Sequence, residues 1–254
     1  MKRYLFLFFT FLVIASPSFG QDKQPEMMRG TKLNEPKASI PTIIVGVNEI
    51  IGSVAEPGWP VIVSAAMLSE DESAAEFPSN LKLKVTDESD KEVPLAFEAV
   101  PQPNGKRNQL FWIASESATQ GLTSGRYHVT FEPVQGIAIE SGDFQVVVAN
   151  PEHSASLGLL KIQKSLLLGK DDEALAEADR QVTSDAQNTD AWVAKGDILM
   201  GKDLPDEALK VYEKALEIAE KDDWEPLFIQ ERHRAAFFRS LEKRGVLSNT
   251  GNTP

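Results

Sequence analysis

The chain has 254 residues, with 26 basic residues against 38 acidic ones and no cysteine. A net charge of −12 repels phosphate backbones, which excludes nucleic acid as an expected partner. The lack of cysteine excludes disulfides, thiolate zinc sites, cysteine nucleophiles and iron–sulfur clusters. Hydrophobic residues make up 42% of the chain, so a core can be buried in one or two domains.

Residues 1–20 are predicted to be a cleaved signal peptide. Two basic residues precede an apolar run over 4–15, and Ser18 and Gly20 have the small side chains that suit signal peptidase. The run is shorter than the roughly 20 residues that span a bilayer, which favours cleavage over an uncleaved anchor. The protein is therefore expected to be exported, to a periplasm or outside the cell, with no membrane span after cleavage. Residues 21–40 mix charge, proline and glycine and predict a flexible leader.

Residues 41–149 show the pattern of short β-strands. Leu81, Leu83 and Val85 alternate with polar residues, as apolar and polar residues also do over 127–132. A strand is also predicted over 93–100, with Pro94 favouring an edge position. About seven strands separated by turn signals predict a β-sandwich.

Two motifs in this region resemble those of immunoglobulin-like and fibronectin-type modules of bacterial surface proteins. One is Pro57-Gly58-x-Pro60-Val61, and the other is Leu122-x-x-Gly125-x-Tyr127. The second resembles a tyrosine corner, which implies that the Tyr127 hydroxyl bonds to the backbone just upstream. The resemblance implies an Ig-like fold and says little about function.

Residues 154–245 contain a repeat of helix, glycine turn and helix. The segment 166–171 matches 198–203 at an offset of 32, and 173–175 matches 207–209 at an offset of 34. The difference predicts a two-residue insertion, Leu204-Pro205, in the second unit. Proline is tolerated there because the first helical residue needs no N–H partner.

The second unit resembles a tetratricopeptide (TPR) repeat. The matching residues are Trp192, Gly196, Ala208, Tyr212 and Ala215. In this family the first helix of each unit lines a binding groove, which implies seven groove residues here. They are Asp190, Val193, Asp197 and Met200 in the second unit, with Lys161, Ser165 and Leu168 in the first.

A fifth helix is predicted over 226–243 and is expected to cap the open end of the array. The face expected to pack on the array contains the apolar residues Leu227, Phe237, Phe238 and Leu241, interrupted by the polar residues Gln230 and Arg234. Two repeats are fewer than the usual three, so the array is expected to depend on this helix, on the sandwich or on a second copy of the chain. Residues 246–254 predict a disordered tail.

No catalytic, cofactor or metal motif is recognisable. The three histidines, His128, His153 and His233, share no ligand spacing, and neither phosphate-binding loops nor nucleophile elbows occur. The predicted fold class is therefore multidomain, all-β plus all-α: an Ig-like β-sandwich, then a two-repeat TPR helical array with a C-terminal capping helix.

The predicted function is that of a non-catalytic module that binds a protein or peptide of the cell envelope, with self-association possible. A groove with acidic and apolar residues favours a basic or mixed peptide. The alternative is carbohydrate or cell-surface binding by the sandwich, through Trp59 exposed in its Pro-Gly turn. Trp112 lies in an apolar run and is expected in the core. A hydrolase with a scattered site is the least favoured alternative.

Overall fold

A computed structural model of the protein describes residues 40–68, 77–100, 109–221 and 227–246. The predicted signal peptide, the leader up to residue 39 and the tail from residue 247 lie outside this part. Strands occupy the N-terminal part of the described chain and helices the C-terminal part, which confirms the predicted order. None of the helices described is long and apolar enough to cross a membrane.

The described residues form nine β-strands in two sheets. They are β1 (Thr42–Val47), β2 (Val54–Ala55), β3 (Val61–Leu68), β4 (Leu83–Asp87), β5 (Glu98–Ala99), β6 (Gln109–Ala114), β7 (Gly125–Phe131), β8 (Ala138–Glu140) and β9 (Gly142–Val146). The first sheet has the order β5-β6-β3-β1-β8, and the second has the order β2-β9-β7-β4.

The two sheets share one hydrophobic core. The alternation predicted for β7 is confirmed, since Tyr127, Val129 and Phe131 are buried in that core. The Tyr127 ring stacks on Phe144 of β9 at a centroid distance of 5.2 Å. Its hydroxyl donates to the Thr123 carbonyl at 2.9 Å, which confirms the backbone contact that the motif predicted.

The strand predicted over 93–100 is wrong for most of its length. Within it, only Glu98 and Ala99 form a strand, β5 at the edge of the first sheet, while Val93 and Val100 each donate a single backbone hydrogen bond, to Val85 of β4 and Phe111 of β6. Pro94 has no backbone N–H to donate, which interrupts a ladder. Leu95 and Phe97 nevertheless pack against the core, so the apolar alternation reflects burial without strand pairing.

Six α-helices occur in the described residues. They are α1 (Glu116–Thr119), α2 (Ser154–Leu167), α3 (Asp171–Ser184), α4 (Thr189–Gly201), α5 (Pro205–Lys221) and α6 (Leu227–Lys243). The Asn188 side chain accepts the Ala191 N–H at 3.0 Å and so caps α4. Pro205 is the first residue of α5, as predicted.

The outer face of the first sheet is covered by α2. Ile62 of β3 and Ile113 of β6 are paired across the sheet and are both buried. They form a hydrophobic cluster with Trp59, Phe111 and Leu160, the last of which lies on α2 and is fully buried. The strands β3 and β6 are thus apolar on both faces, one toward the core and one toward the helices.

Polar contacts reinforce this junction. The buried Glu56 carboxylate accepts the Asn150 N–H at 3.0 Å and lies 2.6 Å from His153 Nδ1. Lys164 of α2 also donates to Glu116 of α1 at 2.6 Å. The sheets and the first helix are therefore joined by packing and by hydrogen bonds.

Candidate functional site

The helix pairs α2–α3 and α4–α5 align at an offset of 34 residues, measured at the turn within each pair. Residues 168–170 connect the first pair and residues 202–204 the second, so both connections have the same length. The predicted two-residue insertion at Leu204-Pro205 is therefore wrong. The similarity at an offset of 32 misled the prediction because Gly-Lys-Asp stands at 169–171 in the first pair and at 201–203 in the second. The first copy ends inside α3, whereas the second begins inside α4, so the two copies are not structurally equivalent.

The corrected offset changes which residues of α2 correspond to those of α4. The residues equivalent to Asp190, Val193, Asp197 and Met200 are Ser156, Leu159, Gln163 and Leu166. Of the three residues predicted by the shorter offset, Lys161 and Ser165 lie on a different side of α2, and Leu168 follows the end of the helix and is exposed. Lys161 has no ion-pair partner among the described residues.

The pair α4–α5 crosses at small residues. A Cβ at Gly196 would lie 2.7 Å from Cζ of Tyr212, so only glycine fits against this ring. Ala208 and Ala215 of α5 are fully buried in the same cluster. These small residues therefore permit the close approach of the two helices.

The helices α2, α4 and α6 form a row in which α4 contacts both neighbours. The link between α4 and α6 is an ion pair at 2.9 Å between Arg232 Nε and Asp197, whose side chain is only 7% exposed. The Tyr212 hydroxyl donates to the same carboxylate at 2.6 Å. The Arg232 guanidinium also lies over the Phe228 ring, 5.4 Å from its centroid.

Burial sets the ionisation properties of this cluster. Burial raises the pKa of the Asp197 carboxyl, although Arg232 and the Tyr212 hydroxyl act in the opposite direction. Burial and the neighbouring Asp197 also raise the pKa of Tyr212 well above its usual range. Asp197 was predicted to line an open groove, but its carboxylate is already bound by two side chains of the same chain.

The remaining predicted residues of α4 differ in accessibility. Asp190 is exposed and has no ion-pair partner among the described residues, Met200 is half-buried, and Val193 is buried in the cluster with α5. On α2, Gln163 is buried, and its Oε1 accepts no hydrogen bond from the described part of the chain. We call the surface formed by Ser156, Gln163, Asp190, Asp197, Met200, Phe228 and Arg232 the inner row.

The outer side of α6 differs from the prediction. The buried residues of this helix are Ile229, Ala236 and Ser240, whereas Leu227, Phe237 and Phe238 are 63%, 46% and 48% exposed. The face expected to pack on the array therefore faces solvent. The cause is that α6 packs through Ile229 and two small residues, Ala236 and Ser240, and an apolar periodicity does not register the small ones.

Polar contacts hold α6 on the turn before α5. The Ser240 hydroxyl donates to Asp206, and Arg244 lies 2.6 Å from the same carboxylate. Together they lower the pKa of Asp206. Asp203 forms ion pairs with Arg239 and Lys243.

The tryptophan that the sequence predicted as an exposed ligand-binding residue of the sheets is not available at the surface. Trp59 is 6% exposed and packs edge-on to His153, so the prediction that it is an exposed aromatic is wrong. The Pro-Gly turn places the ring toward α2, a contact that no local pattern could have predicted. Trp112 is buried in the core between the sheets, as expected.

The histidines are separate from one another, and each is near an acid. His128 lies 2.5 Å from Asp143, and His233 lies 3.7 Å from Glu213. The described residues contain no group of three or more His, Asp or Glu placed to hold a metal ion.

No protein-family model and no curated protein sequence matches the chain. Among solved structures, a chimeric titin Z1Z2 functionalized with a KLER exogenous peptide from decorin is similar to it, with 12% identity and a TM-score of 0.23. The match covers 38% of this chain and 85% of that one. Similarity at this level does not define the fold family.

Proposed function

We propose that the chain is an exported, non-catalytic protein-binding module whose inner row captures a protein segment. In this proposal the helix pairs are TPR repeats, and the two sheets are an Ig-like sandwich that closes the N-terminal end of the array. The observation that carries the proposal is the offset of 34 residues between the turns of the two helix pairs, which is the length of one TPR repeat. The glycine and alanine residues at the crossing of α4 and α5 also support it.

The accessible groups of the inner row indicate the chemistry of the captured segment. Asp190 supplies a negative charge with no partner among the described residues, while Met200 and Phe228 supply apolar surface. Arg232 is neutralised by Asp197 and adds no free positive charge. A basic or mixed peptide with apolar side chains fits this surface best.

The test is a crosslinking pull-down from native envelope extract that compares three forms of the protein. The first is unchanged, the second carries Asp190→Lys with Met200→Ala, and the third carries Lys161→Glu with Leu168→Ala. Asp197 is left intact because its loss would disturb folding as well as binding. A thermal melt of each form provides the folding control.

A partner that is lost with the second form and kept with the third supports capture by the inner row. A partner that is lost with the third form and kept with the second would instead place the site at Lys161 and Leu168, the residues that the shorter offset predicted. Recovery of the same partner by all three forms would refute a site on either face. The charge reversal should weaken binding by about threefold to tenfold, as expected for a partly exposed ion pair.

A further inference from the structure

The outer face of α6 is an apolar surface distinct from the inner row. We define it as Leu227, Arg234, Phe237, Phe238 and Leu241. The two phenylalanine rings are in contact, edge to face, at 5.9 Å between centroids. Successive helical residues are rotated by about 100°, so most of these residues lie about 120° or more from buried Ile229. Leu227, Phe237 and Phe238 are exposed on this face, and a contiguous exposed apolar patch of this kind is typical of an interaction surface.

The contacts of the other helices indicate what kind of element covers such a face. The helix α4 packs against α3 on one side and α5 on the other. The helix α6 packs against α5, and no described helix follows it. Within the described residues, α6 therefore has a face that no helix covers, on the side where α4 is covered by a second neighbour.

Charge identifies which helix fits. The segment 227–246 has five basic residues and two acidic ones, although the whole chain has a net charge of −12. Four of the five basic residues are ion-paired, to Asp197, Asp203 or Asp206. Arg234, in the middle of the outer face, is exposed and has no acidic partner among the described residues.

A second copy of the chain fits this face poorly. Arg234 lies midway between Leu227 and Leu241 in sequence, so a two-fold contact centred on the face would place two identical arginines against each other. An acidic residue at the corresponding place on a different helix would instead form an ion pair surrounded by apolar contacts. We propose that the outer face of α6 docks an amphipathic helix of another protein whose apolar stripe contains a central Asp or Glu.

The test uses labelled synthetic amphipathic helices and the purified protein, with binding followed by fluorescence anisotropy. One peptide has Glu in the middle of a leucine stripe, a second has Lys there, and a third has serine in place of the leucines. The protein variants are Arg234→Glu and Phe237→Ser with Phe238→Ser. All three positions are exposed, and circular dichroism verifies that each variant folds.

The unchanged protein should bind the Glu peptide about threefold to tenfold more tightly than the Lys peptide, and Arg234→Glu should reverse that order. The serine peptide and the double phenylalanine variant should show no binding. Equal binding of both charged peptides, or no binding of either, would overturn the proposal. So would a dimer, detected by sedimentation, that the double phenylalanine variant converts to a monomer. Binding to the inner row is measured separately, so either proposal can fail alone.

Discussion

Replacement of Gly196 by alanine should destabilise the protein even though alanine is the better helix former. The new Cβ would lie 2.7 Å from Cζ and 2.8 Å from Cδ1 of Tyr212, whereas carbon atoms prefer about 3.5 Å or more. Cε1 of the ring lies closer still, so the ring must retreat by about 1 Å to reach that separation. The ring is 1% exposed and its hydroxyl is bound to Asp197, so it has little room to move. Overpacking of this kind costs about 3 kcal/mol at the upper end, and the gain in helix propensity offsets about 1 kcal/mol.

The net loss of about 2 kcal/mol should lower Tm by about 4–8 °C for a domain of this size, measured by circular dichroism. Gly201→Ala is the matched control, because it lies in the same helix and its new Cβ would meet no atom of another element within 4 Å. It should leave Tm unchanged or raise it slightly. Equal Tm values for the two variants would refute the close crossing of α4 and α5.

Three further variants test other parts of the structure. Asp197→Leu should lower the free energy of unfolding by about 3 kcal/mol, because it leaves Arg232 without its counter-charge. Leucine at both Asp197 and Arg232 should recover most of that loss. Denaturant titrations that showed the effects of the two changes to be additive would contradict the pairing. Asp206 has a pKa below its ordinary value of 3.8, so its contribution to stability is present at neutral pH and is lost as the pH falls through the lowered pKa. Asp206→Asn should therefore lower Tm at pH 7 and have little effect at the acid end of a pH series; an equal effect at every pH would exclude the charge as the cause. Leu160→Ala should cost about 2–5 kcal/mol and shift the emission of Trp59 to longer wavelength, and an unchanged emission spectrum would show that α2 does not cover the sheet.

Much of the local structure was predictable because it depends on near neighbours in sequence. The alternation in β7 and the glycine opposite Tyr212 follow from the spacing of residues that pack within one strand or one helix pair. The hydroxyl contact of Tyr127 was predictable for the same reason, since its acceptor is four residues away.

The predictions that failed depend on contacts between distant elements. Trp59 is buried by a helix about a hundred residues later, and Asp197 is bound by Arg232 of α6. The face of α6 was misassigned because the face with most large apolar side chains was expected to be buried, whereas the helix packs through Ile229, Ala236 and Ser240. Periodicity in the sequence shows that a helix has an apolar face, but it does not show which face packs against another element.

The packing of α2 on the outer face of the first sheet limits how this architecture can change during evolution. A helix pair inserted before α2 would separate Leu160 from Ile62 and Ile113, so the sheet surface and the new helix would both have to be rebuilt at once. A pair added after α6 would instead cover side chains that are already exposed. Duplication of a helix pair can therefore lengthen the array with little disturbance only on its C-terminal side.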